Sequence, residues 1–121
     1  MSGHRITADL QKADTVLLDP GNTGTIRSEG WINVVELVTG GSLETRTLAD
    51  PDKSGQLLIL TLKTDGGGDC DVSNAKYLTS GTDTKVTLGD ATDTVLLTSI
   101  PNGTSGYRWI IVGNESASTG T

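Results

Sequence analysis

Gln56-Leu57-Leu58-Ile59-Leu60-Thr61-Leu62-Lys63 is the stretch on which the fold turns. Leu58, Leu60 and Leu62 fall on one alternating face, Leu57 and Ile59 on the other, so both faces are apolar. A buried helix could carry such a run. Its shortness, with Gly55 before it and Gly66-Gly67-Gly68 after it, favours a strand. A half-exposed strand alternates apolar with polar residues. This one is expected either to lie centrally in a sheet or to be covered on its second face by a neighbouring subunit.

The same rhythm extends outward in both directions. Runs rich in Val, Ile, Leu and Thr recur at 15–18, 25–27, 31–39, 43–48, 70–72, 76–78, 85–88, 93–100 and 107–112. Gly, Asn, Asp, Pro and Ser fill most gaps. Asp19-Pro20-Gly21-Asn22 breaks the first run, since Pro fixes φ while Gly and Asn accept positive φ. Gly40-Gly41 is expected to be a two-residue hairpin turn, and residues 101–106 a looser one. Residues 50–55 make a long turn, and the three glycines at 66–68 carry too much chain entropy for a strand. The expected fold is all-β: an antiparallel β-sandwich or compact β-barrel of about seven to nine strands with an extended N-terminal arm. Residues 1–14 form the arm, 15–114 a single β domain and 115–121 a flexible C-terminal tail. Thr7 could cap a short helical turn in the arm. No internal repeat and no dividing linker is read. The core is expected to contain Trp31, Leu58, Leu60, Leu62, Val86, Leu88, Val95, Leu97 and Trp109.

Composition narrows the function. A chain of 121 residues suits one domain, but with no Phe and only 3% aromatic residues the core must be aliphatic. That poverty fits a thin sandwich or one stabilised by oligomerising. The net charge of −6 and the scattered Lys and Arg argue against nucleic acid and against anionic membranes. The one cysteine, Cys70, excludes an intrachain disulfide. Neither a membrane-spanning helix nor a signal peptide is read.

Catalytic groups are sparse. The one histidine, His4, falls in the arm, where a solvated role fits better than a general base. Cys70 lies between Asp69 and Asp71, which disfavour a thiolate. Asp65, Asp69 and Asp71 on a glycine-rich loop could converge on a hard cation. Residues 66–72 are similar to one calcium-binding nonapeptide of parallel β-rolls, with Asp69 where that pattern has glycine. The unit occurs once, whereas such units stack, and turn chemistry explains the same residues. Tyr107 and Trp109 share a strand face and could be a core stripe or a sugar-stacking platform. No phosphate-binding loop and no zinc spacing is present. The chain is expected to be no enzyme, with no cofactor and no metal.

The second half has a recognisable order. Gly55-Gln56-Leu57-Leu58 is followed by Thr64-Asp65-Gly66-Gly67-Gly68-Asp69. Then come Val86-Thr87-Leu88-Gly89-Asp90, Asp93-Thr94-Val95-Leu96-Leu97 and Tyr107-Arg108-Trp109-Ile110-Ile111-Val112-Gly113-Asn114. Over roughly residues 43–114 this resembles a β-rich pattern in small structural proteins of tailed bacteriophages. There, a strand starting with Gly-Gln precedes a Gly-Asp-x-Val-x-Leu strand, and a Trp-bearing strand closes the domain before Gly-Asn. Here Ala91-Thr92 intervene between Gly89-Asp90 and Asp93, a longer turn than the pattern has. The resemblance implies a capsid decoration (cement) or head-fibre-type protein on the outer surface of the virion, made in the host cytoplasm. It implies a homotrimer that binds the major capsid protein, an embracing N-terminal arm, no cofactor and no catalysis. The expected contact residues are Arg5, Ile6 and Leu10 of the arm, with Arg27 and Arg46 as salt-bridging groups. The alternative is a carbohydrate- or host-receptor-binding β module of a fibre or spike. It requires Tyr107 or Trp109 exposed on a concave face, whereas decoration expects both tryptophans buried.

Overall fold

β-Branched and leucine-rich runs separated by glycine, proline and asparagine leave the chain one economical course: extended segments that fold over at each marked break. A computed structural model describes residues 14–121. Ten strands run in order: β1 (Asp14–Leu17), β2 (Thr25–Ile26), β3 (Ile32–Val38), β4 (Glu44–Leu48), β5 (Leu57–Thr64), β6 (Cys70–Ser73), β7 (Lys85–Leu88), β8 (Thr94–Pro101), β9 (Tyr107–Glu115) and β10 (Ser118–Gly120). No helix occurs among the described residues. The strands build two five-stranded sheets, β1-β3-β5-β8-β9 and β10-β7-β6-β4-β2. The fold is an all-β sandwich, as expected, and it is not closed into a barrel.

The pairing is mixed rather than antiparallel throughout. Through β6 the chain crosses to the other sheet after every strand. Each strand therefore lands parallel to the one two before it: β1 on β3, β3 on β5, β2 on β4, β4 on β6. This half winds as a coil of three layers, each giving one strand to each sheet. The winding reverses at residues 74–84. β7 and β8 then lie antiparallel to β6 and β5, and β9 and β10 antiparallel to β8 and β7. The molecule is thus a stack of five two-strand layers, with β1–β2 at one end and β9–β10 at the other.

Three local expectations are corrected. Gly40-Gly41 is not a hairpin turn, because β3 and β4 lie in different sheets. It belongs to an arch on which the 66–68 arch of the next layer rests. The Gly68 amide donates to the Gly40 carbonyl at 2.9 Å, and a β-carbon on Gly66 or Gly68 would collide with the backbone of residues 39–42. Gly66 and Gly68 therefore serve close approach between arches, and Gly67 between them supplies a positive φ of 111°. Residues 76–78 form no strand, although Leu78 is buried. Residues 115–121, expected as a flexible tail, include β10. Asn114 makes the turn into it, accepting from the Ala117 amide at 3.0 Å and donating to the Ala117 carbonyl, so β10 can pair with β7.

Between the sheets lies one aliphatic core. Leu58, Leu60, Leu62, Val95, Leu97 and Trp109 from the first sheet meet Leu48, Val72, Val86 and Leu88 from the second. The Trp109 indole is fully buried and donates to the Ala49 carbonyl at 2.9 Å. Trp31 is not a core residue: it is 50% exposed, and the Lys53 ammonium stands 4.8 Å from its ring. It precedes β3, at the end of the sandwich, where an inward alternation no longer meets an opposing sheet.

Candidate functional site

The charged groups that a reaction could use are largely engaged within the fold. Arg46 sits on the inner face of its sheet, beside Val72 in register, and is 1% exposed. Its guanidinium donates to both Asp19 carboxylate oxygens at 2.7 and 3.0 Å and lies 3.0 Å from Glu44. It also reaches the Val38 carbonyl. Burial pushes the Asp19 carboxyl up, but the Arg46 guanidinium and the amides of Gly21 and Val38 outweigh it and hold the group below the usual carboxylate value. The Asp19 hydrogen bond in turn raises Arg46. The network ties the β1–β2 connection to β3 and β4. Among the side chains described, no buried polar atom lacks a partner.

The glycine-loop acids do not converge. The Asp65 carboxylate accepts from the Gly67 amide, a turn interaction. Asp71 accepts from the Thr87 hydroxyl at 2.6 Å and pairs with Lys85 at 3.3 Å. Among the described residues no group of three His, Cys, Asp or Glu is arranged to hold a metal ion. The Cys70 thiol is buried between the sheets, and that burial pushes it up to about 11 against the pull of Arg46. His4, Arg5, Ile6 and Leu10 lie outside the described residues.

What the chain presents is surface, and two places stand out. The first is the open end of the coil. β1 and β2 are the terminal strands of their sheets at that end. A groove of about 420 Å³ lies between them, with Leu17 and Ile26 at its floor and Val16, Leu18, Arg27 and Glu29 around it. Leu18 is 91% exposed. Arg27, an expected contact residue, is exposed here, directly after β2. Arg46, the other, is spent on Asp19 and Glu44 inside the chain. A second groove of about 440 Å³, lined by Tyr77, Ser80, Asn102 and Arg108 among others, flanks the β8–β9 hairpin.

The second place is the outer face of the β1-β3-β5-β8-β9 sheet. Register aligns Ile32, Leu57, Thr98 and Ile110 across it. The next row out is Val16, Val34, Ile59 and Leu96, completed by Gly113. All of these lie opposite in alternation to the buried core residues and keep contact with solvent. Gly113 fits closely, since a β-carbon there would stand 3.4 Å from that of Leu96. The row beyond ends the apolar zone with Glu36, Thr61, Thr94 and Glu115. The doubly apolar alternation of β5 was the sequence signal for this face. Its lateral extent depends on parallel pairings that one sequence does not display.

No protein-family model matches the chain. A comparison with curated proteins also returned no match.

Proposed function

We propose that the chain is a non-enzymatic virion structural protein of the capsid-decoration type. In this reading a homotrimer binds the major capsid protein on the outside of an icosahedral phage head and stabilises it. The observation that carries the reading is the open end of the coil. Among the described residues the outer edges of β1 and β2 have no partner strand, and the exposed Val16 and Leu18 and the Arg27-lined groove lie beside them. Free strand edges beside apolar side chains are a template for a partner. An arm entering at that edge could reach a neighbouring subunit, with Arg5, Ile6 and Leu10 as its contacts. The mechanism is physical: surface buried on several capsid subunits opposes their separation, and multiple attachment points raise the effective affinity.

The test mixes purified protein with expanded, undecorated heads. Saturable, stoichiometric binding that delays heat or chelator disruption of the heads is expected. An inert mixture would sink the reading.

The glycan-binding alternative keeps one foothold. Trp109 is buried and Tyr107 is half-buried, but Trp31 is half exposed with Lys53 beside its ring, against the decoration expectation that both tryptophans are buried. Quenching of Trp31 fluorescence by soluble glycans, lost in Trp31→Phe, would favour that reading.

A further inference from the structure

We infer that the outer face of the β1-β3-β5-β8-β9 sheet is the surface through which copies of this chain pack against one another. This rests on the self-association in the proposed function and assigns it to a face. On β3, β5, β8 and β9 the two middle rows hold Ile32, Val34, Leu57, Ile59, Leu96 and Ile110 without a charge, in a chain of net charge −6, while Asp14 of the edge strand β1 stands in register with Ile32. On those four strands the nearest acids, Glu36 and Glu115, lie in the row that ends the apolar zone, and Arg108 lies beyond the opposite end. Two such faces can meet through their uncharged middle with the charges at the rim, while the acidic remainder of the surface stays in water.

Shape points to a copy rather than an unrelated partner. Stacked sheets match when their twists agree, and an identical sheet carries the same twist by construction. Size agrees as well. Five strands spaced about 4.8 Å apart and up to about eight residues long present roughly 600 Å², of which the two middle rows make about half and the charged rows the rim. Two chains mated over the whole face, rim included, would bury about 1,200 Å², the lower edge of the range for stable specific interfaces. Three such faces around an axis parallel to the strands would each stand about 7 Å from it, a distance that side chains from packed sheets fill. The same contact explains the sequence of β5. Leu57 and Ile59 would be poor choices for a wet face, and they become a second core once copies assemble.

The test is sedimentation equilibrium of the full chain beside Ile59→Glu and Leu96→Glu. Both side chains point away from the core, so the charges leave the sandwich interior intact. The expected result is an assembly of two or three chains for the parent and single chains for the variants, with unchanged far-ultraviolet circular dichroism. A parent chain that sediments singly, or variants that keep the parent's mass, would overturn the inference. Should a glutamate variant misfold, Ile59→Cys supplies the answer. The native thiol, Cys70, is buried, so a short bis-maleimide should link chains through position 59, and failure to link them counts against the face. A parent that sediments singly yet saturates heads would remove this interface and leave the capsid reading standing. An assembly through this face that ignores heads would do the reverse.

Discussion

Gly68 shows how much of this fold is decided by single atoms. Its hydrogen faces the Ser42 backbone, where a β-carbon has no room. Gly68→Ala is expected to destabilise the protein by about 1–3 kcal/mol, because backbone cannot yield as a side-chain tip can. Gly41, in the arch beneath, is the matched control. A β-carbon there would meet only the Gly66 carbonyl oxygen at 3.9 Å, so Gly41→Ala is expected to stay within about 0.5 kcal/mol. Urea midpoints of the two variants separate close approach from loop flexibility, and equal values would refute the account. The Asp19–Arg46 pair makes a second residue-scale prediction. Asp19 titrates below its ordinary value in the folded chain. Its contribution is therefore present above the unfolded carboxylate pKa and is lost as pH falls through the folded one. Asp19→Asn removes that charge and leaves the buried guanidinium with Glu44 as its charged partner. It is expected to cost about 3 kcal/mol near neutral pH. The gap from the parent chain should shrink as the pH falls through the acid range. Urea midpoints of both proteins across that range check it, and a pH-independent gap would show that the carboxylate's charge is not what stabilises.

At the scale of elements, stability should follow position in the stack. β5 and β8 are flanked on both sides within their sheet, whereas among the described residues β1, β2, β9 and β10 each have one neighbouring strand. β2 and β10 are also the shortest strands, Thr25–Ile26 and Ser118–Gly120. Native-state hydrogen exchange is expected to find the slowest amides in β5 and β8 and the fastest strand amides in β2 and β10. Protection of β10 equal to that of β5 would contradict the layered picture. This ordering also shows which parts of the fold could be read from residues. The alternation of Lys85–Leu88 and the apolar run of β5 announced themselves, because period two and burial act on neighbours in sequence. The parallel pairing of β3 with β5 did not. It depends on each arch crossing between sheets, and an arch and a hairpin turn use the same glycines and asparagines. Trp31 misled for a related reason: apolar character marks a side chain for burial, but the sandwich ends before its position. Of the expected contact residues, Arg27 reached the surface. Arg46, equally charged on paper, was drawn inside by Asp19 and Glu44, partners that only the tertiary fold brings together.

For the whole molecule, the proposed sheet face and the proposed capsid contact are coupled through valency. Each chain offers one open coil end, with its groove at Val16, Leu18 and Arg27. A single copy attached there would dissociate at the rate of one modest interface. Three copies joined through their outer sheet faces would present three such ends held in a rigid arrangement, so release requires all of them to let go together. Ile59→Glu leaves the coil end unaltered and removes only the joining face. It is therefore expected to lower apparent affinity for expanded heads by roughly 100-fold or more, within the gain that linked sites commonly give. Arg27→Ala acts once on every chain of an intact assembly, so it should weaken binding without changing the mass of the free protein. Isotherms of labelled protein on heads, read beside sedimentation mass, check both expectations. If Ile59→Glu proved monomeric and still bound heads as tightly as the parent chain, valency would contribute nothing. The outer sheet face would then serve assembly alone, and one coil end would account for the whole affinity.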